Sequence, residues 1–543
     1  MNAYDYIIVG AGAAGCVLAN RLSADPNVSV CLIEAGGNSN SPWITIPAGI
    51  FGLYGNKKYD YAFEGIPQTH LHNRKMMVNR GKTLGGSTAI NSMVYIRGNQ
   101  NDYNGWEALG CKGWSYQEVL PVFKALEANQ SHQAAEYHGF NGELMVTKQQ
   151  DPHSVCTRFI KAGAAASLPE NTDFNGPTQF GLGVYDVNQN EGQRVSSYRA
   201  FVEPVLSRNN LTILTHTDVL SLILDGDLAK GVNAESDGSV KQILANKEVI
   251  VSSGSIVSPR ILLASGIGNK AELEALGIKC QLDLPGVGEN LQDHIDSMVT
   301  VRAKTPATIG VSLHSLLPHV VLAPIKYALQ RKGWLTTNYV EAGGFAKTKF
   351  AEIAVQGSAD AAPDIQFHFT PLYRSHRGKK FEFGHGYSVF TCVLRPRSKG
   401  SVKLAKDGTH RQVLIDHNFF SDERDQQVLV EGIKKAREIL ASPEFDEIRG
   451  IEMAPGAAVQ TDEEIVHYLR DTASTVYHPV GTCKMGIDEM SVVDPESLKV
   501  RGLKNVRVID ASIMPTLISG NTSSPSMMIA EKGARMILSD ANH

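Results

Sequence analysis

The pattern of apolar and polar positions is clearest at the start of the chain. Tyr6-Ile7-Ile8-Val9 is a short run of β-branched character that breaks at Gly10-Ala11-Gly12-Ala13-Ala14-Gly15 and gives way to Cys16-Val17-Leu18-Ala19-Asn20-Arg21-Leu22. Such a succession predicts strand, tight turn and helix. Proline disfavours helical geometry in the residue before it, so the helix is expected to stop near Asp25-Pro26 and Val28 to Ile33 to form a second strand ending at Glu34. Later, a strand from Glu248 to Ser252 meets a helix expected to begin near Ser258-Pro259, where proline suits the first turn. Asp364 to Thr370, Ser388 to Leu394 and Ser401 to Leu404 read as strands, and Asp425 to Leu440 as a helix. Val506 to Ser512 reads as a strand running into a turn, and the helix after it takes Ser524 as N-cap with Pro525 in its first turn. The fold class these elements predict is α/β, α+β overall.

Composition narrows the function. At 543 residues with 42% apolar positions, the chain is long enough for two or more core-bearing units. A formal net charge of −4 removes the basic footprint of a nucleic-acid binder, so no nucleic-acid partner is expected. The seven cysteines contain no C-x-x-C pair, which gives neither a disulfide framework nor a zinc site; no metal is expected, and reduced thiols fit the cytoplasm. Residues 1–6 have no basic region leading into an apolar core, so no signal peptide is expected. No apolar stretch reaches the roughly 18 residues of a spanning helix. Val311 to Leu329 comes nearest but carries His314, Pro318, His319, Pro324 and Lys326, which leaves open a surface-lying or channel-lining segment beside the plainer reading of buried helix and loop.

The glycine cluster carries the first chemistry. Gly10 permits the sharp turn, Gly12 lets the backbone approach a pyrophosphate, and Gly15 allows close helix packing, while the helix N-terminus faces the anion. Glu34 stands where a carboxylate accepts hydrogen bonds from a ribose diol. A dinucleotide follows; whether it is NAD or FAD is open from this segment. Gly81-Lys82-Thr83-Leu84-Gly85-Gly86-Ser87-Thr88-Ala89-Ile90-Asn91 is either a backbone nest for an anionic ligand or a flexible surface loop.

Together with Met93-Val94-Tyr95-Ile96-Arg97-Gly98, Gly254 to Gly268, Pro285-Gly286-Val287-Gly288-Glu289-Asn290-Leu291-Gln292-Asp293-His294 and the C-terminal quarter, these segments resemble the glucose-methanol-choline (GMC) family of FAD-dependent oxidoreductases over essentially the whole chain. The resemblance implies a Rossmann-like FAD-binding domain from 1–155, 205–305 and 455–543, interleaved with a substrate domain from 156–204 and 306–454 that is built on a mixed or antiparallel sheet covered by helices. It implies FAD contacts at Gly10, Gly12, Ala13, Ala14, Gly15, Glu34, Ala35, Gly86, Ser87, Asn91, Met93, Val94, Val219, Asp510, Ala511 and Asn521. Some relatives attach FAD through a histidine directly before the asparagine of the first signature; Ile90 stands there, so noncovalent FAD is expected.

His478, held extended before Pro479, looks like the family's active-site histidine. Asn521 resembles the second member of its catalytic pair, although an asparagine there also turns the chain before the helix. The expected reaction is oxidation of a primary alcohol to the aldehyde, with His478 as base and flavin N5 as hydride acceptor. Glu341 would compensate a trimethylammonium group, which keeps choline open, but the apolar stretch at 311–329 favours an uncharged aliphatic or aromatic alcohol. A quinone-like acceptor and oxygen both fit, as would an FAD-containing hydroxynitrile lyase or, more remotely, a photodecarboxylase. A cytoplasmic location is expected, with peripheral contact at the inner face of the membrane left open by the basic loop Arg374 to Lys380. The oligomeric state is not readable.

Overall fold

The computed structural model describes residues 2–131, 133–310, 312, 322–352, 361–375, 380–381 and 383–541. Of the apolar stretch, 311 and 313–321 lie outside the described residues, as do 376–379 of the basic loop. Along the chain, β1 (Asn2–Val9), α1 (Ala13–Leu22) and β2 (Val30–Ile33) come first. They are followed by β3 (Gly181–Val184), β4 (Leu211–Leu214), β5 (Asp218–Asp225), β6 (Leu228–Ser236), β7 (Ser239–Val251) and α2 (Gly254–Ala264). β8 (Ile295–Ala303), α3 (Ala323–Gln330), β9 (Ala342–Ala346), β10 (Ile365–Thr370), β11 (Gly386–Val393) and α4 (Glu423–Leu440) come next. The chain closes with β12 (Arg449–Ala454), β13 (Ser474–Thr475), β14 (Val506–Val508) and α5 (Ser523–Ala541).

Two sheets organise these elements. The first has the order β4-β2-β1-β7-β6-β5, with β14 also beside β7. β4, β2, β1, β7 and β14 run parallel, and β5 and β6 add an antiparallel edge. Ile7 sits beside Cys31 on one side and Val249 on the other, and all three are fully buried, as a sheet covered on both faces requires. Because five strands run parallel, their carboxyl ends open on one edge, and the segments that follow them meet there. α1 packs between this sheet and α5.

The second sheet, β12-β8-β11-β10-β9-β3 with β13 beside β8, is antiparallel throughout, which agrees with the expected mixed or antiparallel sheet. Successive side chains of a strand point to opposite faces. In β10, Ile365, Phe367 and Phe369 join the core with Leu429 and Ile433 of α4, so Gln366, His368 and Thr370 take the other face. α4 is amphipathic and starts two residues earlier than its apolar pattern predicts, because the Asp422 carboxylate caps it by accepting from Arg424 N–H.

The helix after β7 departs further from expectation. α2 begins at Gly254, not Ser258, which puts Pro259 inside it. Two remote groups make this tolerable. The Asp510 carboxylate accepts from Gly254 N–H at 2.8 Å and Ser258 Oγ at 2.6 Å, holding the helix start from outside. Pro259 has no N–H for the carbonyl four residues back, and that carbonyl, on Ser255, accepts from Thr482 Oγ1 at 2.7 Å instead. α5 also starts two residues early: Thr522 O accepts the first helical bond, so Ser524 lies within the helix and is not its N-cap.

At the first turn the chain approaches itself closely. Gly10 has φ +102°, and a Cβ on Gly15 would lie 1.8 Å from the Gly10 carbonyl oxygen. Gly15→Ala therefore forces the β1–α1 turn apart and is expected to cost about 1–3 kcal/mol, the range of overpacking changes. A thermal midpoint measured for Gly15→Ala against wild type checks this, and an unchanged midpoint would show that the turn relaxes freely.

Candidate active site

A cavity of about 660 Å³ opens where the carboxyl edge of the first sheet meets the second sheet. Every residue expected at the cofactor except Gly15 lines it: Gly10, Gly12, Ala13 and Ala14 after β1, Glu34 and Ala35 after β2, Val219 in β5, and Asp510 and Ala511 just after β14. Gly86, Ser87, Asn91, Met93, Val94 and Asn521 line it too. Gly15 instead serves the close packing described above.

Several of these groups are already engaged. The Glu34 carboxylate accepts from Ala11 N–H at 3.0 Å and Gly36 N–H at 2.8 Å, one bond to each oxygen, which leaves lone pairs for a further donor. Burial pushes its carboxyl up to about 7 against the pull of those two bonds. The Asp510 carboxylate is taken up by Gly254, Ser258 and, at 2.8 Å, Ser512 N–H, so it fixes backbone around the cavity. Asn91 Oδ1 accepts from Met93 N–H at 3.0 Å and Arg194 at 2.9 Å, holding Met93 in a left-handed conformation (φ +58°).

His478 and Asn521 come together at the other end. The His478 backbone N–H donates to Asp293 Oδ1 at 2.8 Å, which with Pro479 sets the ring's direction. His478 Nε2 is 3.2 Å from Asn521 Nδ2, and His478 Nδ1 is 2.9 Å from His294 Nδ1. His294 Nε2 is 3.2 Å from the Leu394 carbonyl. A carbonyl can only accept, so His294 carries its proton on Nε2 and, being neutral, accepts at Nδ1. His478 must then donate from Nδ1, which leaves its Nε2 lone pair on the side of Asn521. Asn521 Nδ2 donates to that lone pair, and no bond in the chain conflicts with another.

All three histidines near this point are held neutral. Burial pushes His294 down to about 4. Burial, then the His294 charge, pushes His368 down to about 3. His478 lies well below the usual histidine range through burial first, with His294, His368 and Arg80 adding to it.

Sequence reasoning assigned no role to His294, His368 or Gln366. His368 lines the cavity from β10, and the alternation of apolar with polar residues across Ile365 to Thr370 was the available signal. Glu341 is corrected by the structure. It is 2% exposed, its carboxylate accepts from His153 N–H at 2.7 Å and the Cys156 thiol at 3.4 Å, and it does not line the cavity. It therefore does not face a substrate cation. His72, His467 and Asp471 form an exposed group and are not among the residues that line the cavity.

Residues 4–296 and 396–530 match the GMC oxidoreductase family. The chain is 44% identical over 537 residues to an alcohol dehydrogenase [acceptor] of Pseudomonas putida, covering 98% of this chain and 96% of that protein. It is 39% identical over 544 residues to an oxygen-dependent choline dehydrogenase of Staphylococcus xylosus, covering 99% and 95%. Among solved structures, pyridoxine 4-oxidase from Mesorbium loti superposes with a TM-score of 0.87 at 29% identity, covering 99% of each chain. A formate oxidase of Aspergillus oryzae RIB40 superposes with a TM-score of 0.91 at 26% identity, covering 100% of this chain and 99% of the other. The chain belongs to the GMC oxidoreductase family, which makes it an oxidoreductase and implies FAD.

The residues present fit that cofactor. A Cβ on Gly12 would meet nothing within 4 Å, so the helix start faces open cavity, as a pyrophosphate site requires. The buried hydroxyls of Ser255 and Ser523 also line the cavity and have no hydrogen-bond partner among the described residues.

The neutral histidines have a consequence for stability. Their folded pKa values lie below the unfolded value near 6.5, so below that pH the unfolded chain binds more protons and stability falls with pH. Between pH 6.5 and about 4, His294 and His368 therefore both take stability away as the pH falls. Thermal midpoints across that range are expected to fall less steeply for His368→Phe than for wild type. Parallel lines would show that His368 does not titrate on unfolding.

Proposed function

We propose that the protein oxidises an uncharged aliphatic or aromatic primary alcohol to the aldehyde, with His478 as the base, and passes the electrons to a quinone-like acceptor or to oxygen. The observation that carries this reading is the His478 Nε2 lone pair, directed toward Asn521 in the cavity by a hydrogen-bond chain that ends on the Leu394 carbonyl. The bound alcohol hydroxyl replaces the Asn521 N–H on the His478 Nε2 lone pair, which takes its proton, and Asn521 Nδ2 then donates to the substrate oxygen. The imidazolium that forms keeps its Nδ1–H on His294, which accepts it without itself taking a charge. Bound FAD supplies the hydride acceptor for the carbinol carbon.

The Gly10 to Ala14 turn would hold the pyrophosphate and Glu34 the ribose, with Gly86, Ser87, Asn91, Met93, Val94, Val219, Asp510, Ala511 and Asn521 along the remaining length. Noncovalent attachment is supported by Ile90, an alkyl side chain without a nucleophile, buried with Ile44, Leu53, Tyr59 and Ala89. The division into two interleaved domains is supported by the two sheets. Because Ile295–Ala303 belongs to the second sheet, the boundary proposed at 305 moves to about 294.

An uncharged substrate is supported by the lining near His478, where Met93, Val94, Val340 and Phe390 meet the neutral His368, and by the averted Glu341. Choline is a second reading, favoured by the rings of Phe51, Tyr54 and Tyr339 on the same cavity, since aromatic faces attract a quaternary ammonium. A cytoplasmic location is supported by seven unpaired cysteines. No helix of the described residues is long and apolar enough to cross a membrane. Peripheral contact is supported by Leu322, Ile325 and Leu329, which α3 and the residue before it expose.

Anaerobic stopped-flow mixing with butanol, octanol, benzyl alcohol and choline, followed by reoxidation with a quinone or oxygen, tests the reading. Fast bleaching by the neutral alcohols is expected, and His478→Ala should slow it by about 10²–10⁴-fold. The neutral base is present above its pKa, which lies below the usual value, so the bleaching rate should be flat above about pH 6.5 and fall only in acid. Acid precipitation should leave the yellow cofactor in the supernatant. Bleaching by choline alone would select the second reading, and no bleaching by any alcohol would move the chain toward a lyase.

A further inference from the structure

We infer that Gln366 is a positioning residue: it fixes which way the Asn521 amide faces and thereby presents the Asn521 NH₂, and not its carbonyl oxygen, to His478 Nε2 and to the substrate oxygen. This inference rests on the role proposed for His478 and Asn521.

An asparagine amide can present either its oxygen or its nitrogen to a neighbour, and only the partners decide. For Asn521 the deciding partner is Gln366, whose Nε2 lies 3.3 Å from Asn521 Oδ1. The orientation of Gln366 is itself determined. Tyr185 has one hydroxyl hydrogen and donates it to the Phe367 carbonyl at 2.7 Å, so its oxygen accepts from Gly344 N–H and from Gln366 Nε2, each at 3.2 Å. On the other side of the Gln366 amide, Oε1 lies 3.9 Å from the Cys392 thiol, which burial keeps protonated and therefore a donor. The two hydrogens of Gln366 Nε2 thus go to Tyr185 and Asn521. Asn521 must offer its oxygen to Gln366 and its NH₂ to His478.

His478 Nε2 is therefore required to accept by two routes that share no residue before they meet. One runs from the Leu394 carbonyl through His294; the other runs from the Phe367 carbonyl through Tyr185, Gln366 and Asn521. Both carbonyls belong to neighbouring strands of the second sheet, Phe367 within β10 and Leu394 one residue past β11. Gln366 is fully buried and is absent from the cavity lining, so its effect on the reaction passes through Asn521.

Three variants separate this role from mere support of the fold. Gln366→Leu keeps the volume and removes the polarity; Asn521 then faces either way, and kcat for the alcohol is expected to fall by about 10-fold to 100-fold, the scale of a misplaced catalytic group. In an Asn521→Ala background the same change should alter kcat less than twofold, because the group it orients is gone. Gln366→Glu donates to Asn521 while protonated but demands a donor once ionised, so its kcat should fall with rising pH along a limb that wild type and Gln366→Leu both lack. In ¹⁵N-histidine-labelled holoenzyme, the unprotonated Nε2 resonance of His478, assigned by its loss in His478→Asn, should shift along the same pH limb in Gln366→Glu. Equal losses from Gln366→Leu in the wild-type and Asn521→Ala backgrounds, or a Gln366→Glu profile that superimposes on wild type, would overturn the inference. If Asn521→Ala alone leaves alcohol oxidation intact, the reading of Asn521 falls and this one falls with it.

Discussion

The hydrogen bond between His294 Nδ1 and His478 Nδ1, with the Leu394 carbonyl at the far side of His294, allows one distribution of protons, and the proposed chemistry depends on it. Two neutral imidazoles that meet nitrogen to nitrogen need one donor and one acceptor. The Leu394 carbonyl decides which is which, since it forces the His294 proton onto Nε2. Burial makes the choice firm: none of the three histidines can relieve a conflict by taking up a second proton near neutral pH, because each has its pKa pushed down. A backbone carbonyl just past the end of a sheet strand thus sets the state of a side chain two links away.

The fold supplies that carbonyl by joining distant parts of the chain. Five parallel strands bring the residues after positions 9, 33, 214, 251 and 508 to one edge. Asp510 and Thr482, both from the C-terminal quarter, hold the first turn of α2 and the carbonyl that Pro259 leaves free. The same quarter carries His478 and Asn521. The residues that complete α2 at the cofactor end are therefore tied along the chain to those proposed to do the proton chemistry at the other.

What was legible in the sequence follows from this geometry. The Gly10 to Gly15 turn and Glu34 were readable because a strand, turn and strand close together in the chain set their places, whereas His478 was readable through the resemblance of its segment to the family's motif. The start of α2 at Gly254 was not, since its cap is a carboxylate 256 residues away. His294 was visible within a motif but without a role, because its partner lies 184 residues on. Gln366 and His368 left a trace, polar residues at every second position of an otherwise apolar strand, but that pattern alone does not say that their face looks onto a cavity and not onto water. Glu341 misled for the opposite reason. A carboxylate in an apolar segment invites a cationic partner, and only the packing shows that a backbone N–H and a thiol already satisfy it.

One further step concerns specificity. The groups that place the proton on His478, from Leu394 and His294 on one side and Tyr185, Gln366 and Asn521 on the other, end on backbone carbonyls, one within a sheet strand and one just past the end of its neighbour. The aromatic groups on the cavity wall, Phe51, Tyr54, Tyr339 and Phe390, take no part in either chain. Two of them pack on a third, Phe51 and Phe390 with ring centroids 5.6 and 6.2 Å from Tyr339, so they respond to one another's size. On the proposed reading, reshaping that wall would change which substrate fits without disturbing the tautomer of His478. Proteins similar to this chain over nearly their whole length carry the names of an alcohol dehydrogenase, a choline dehydrogenase and a pyridoxine oxidase. A site in which the base is fixed by backbone and the wall by interchangeable side chains is a physical arrangement under which such a range can arise within one fold.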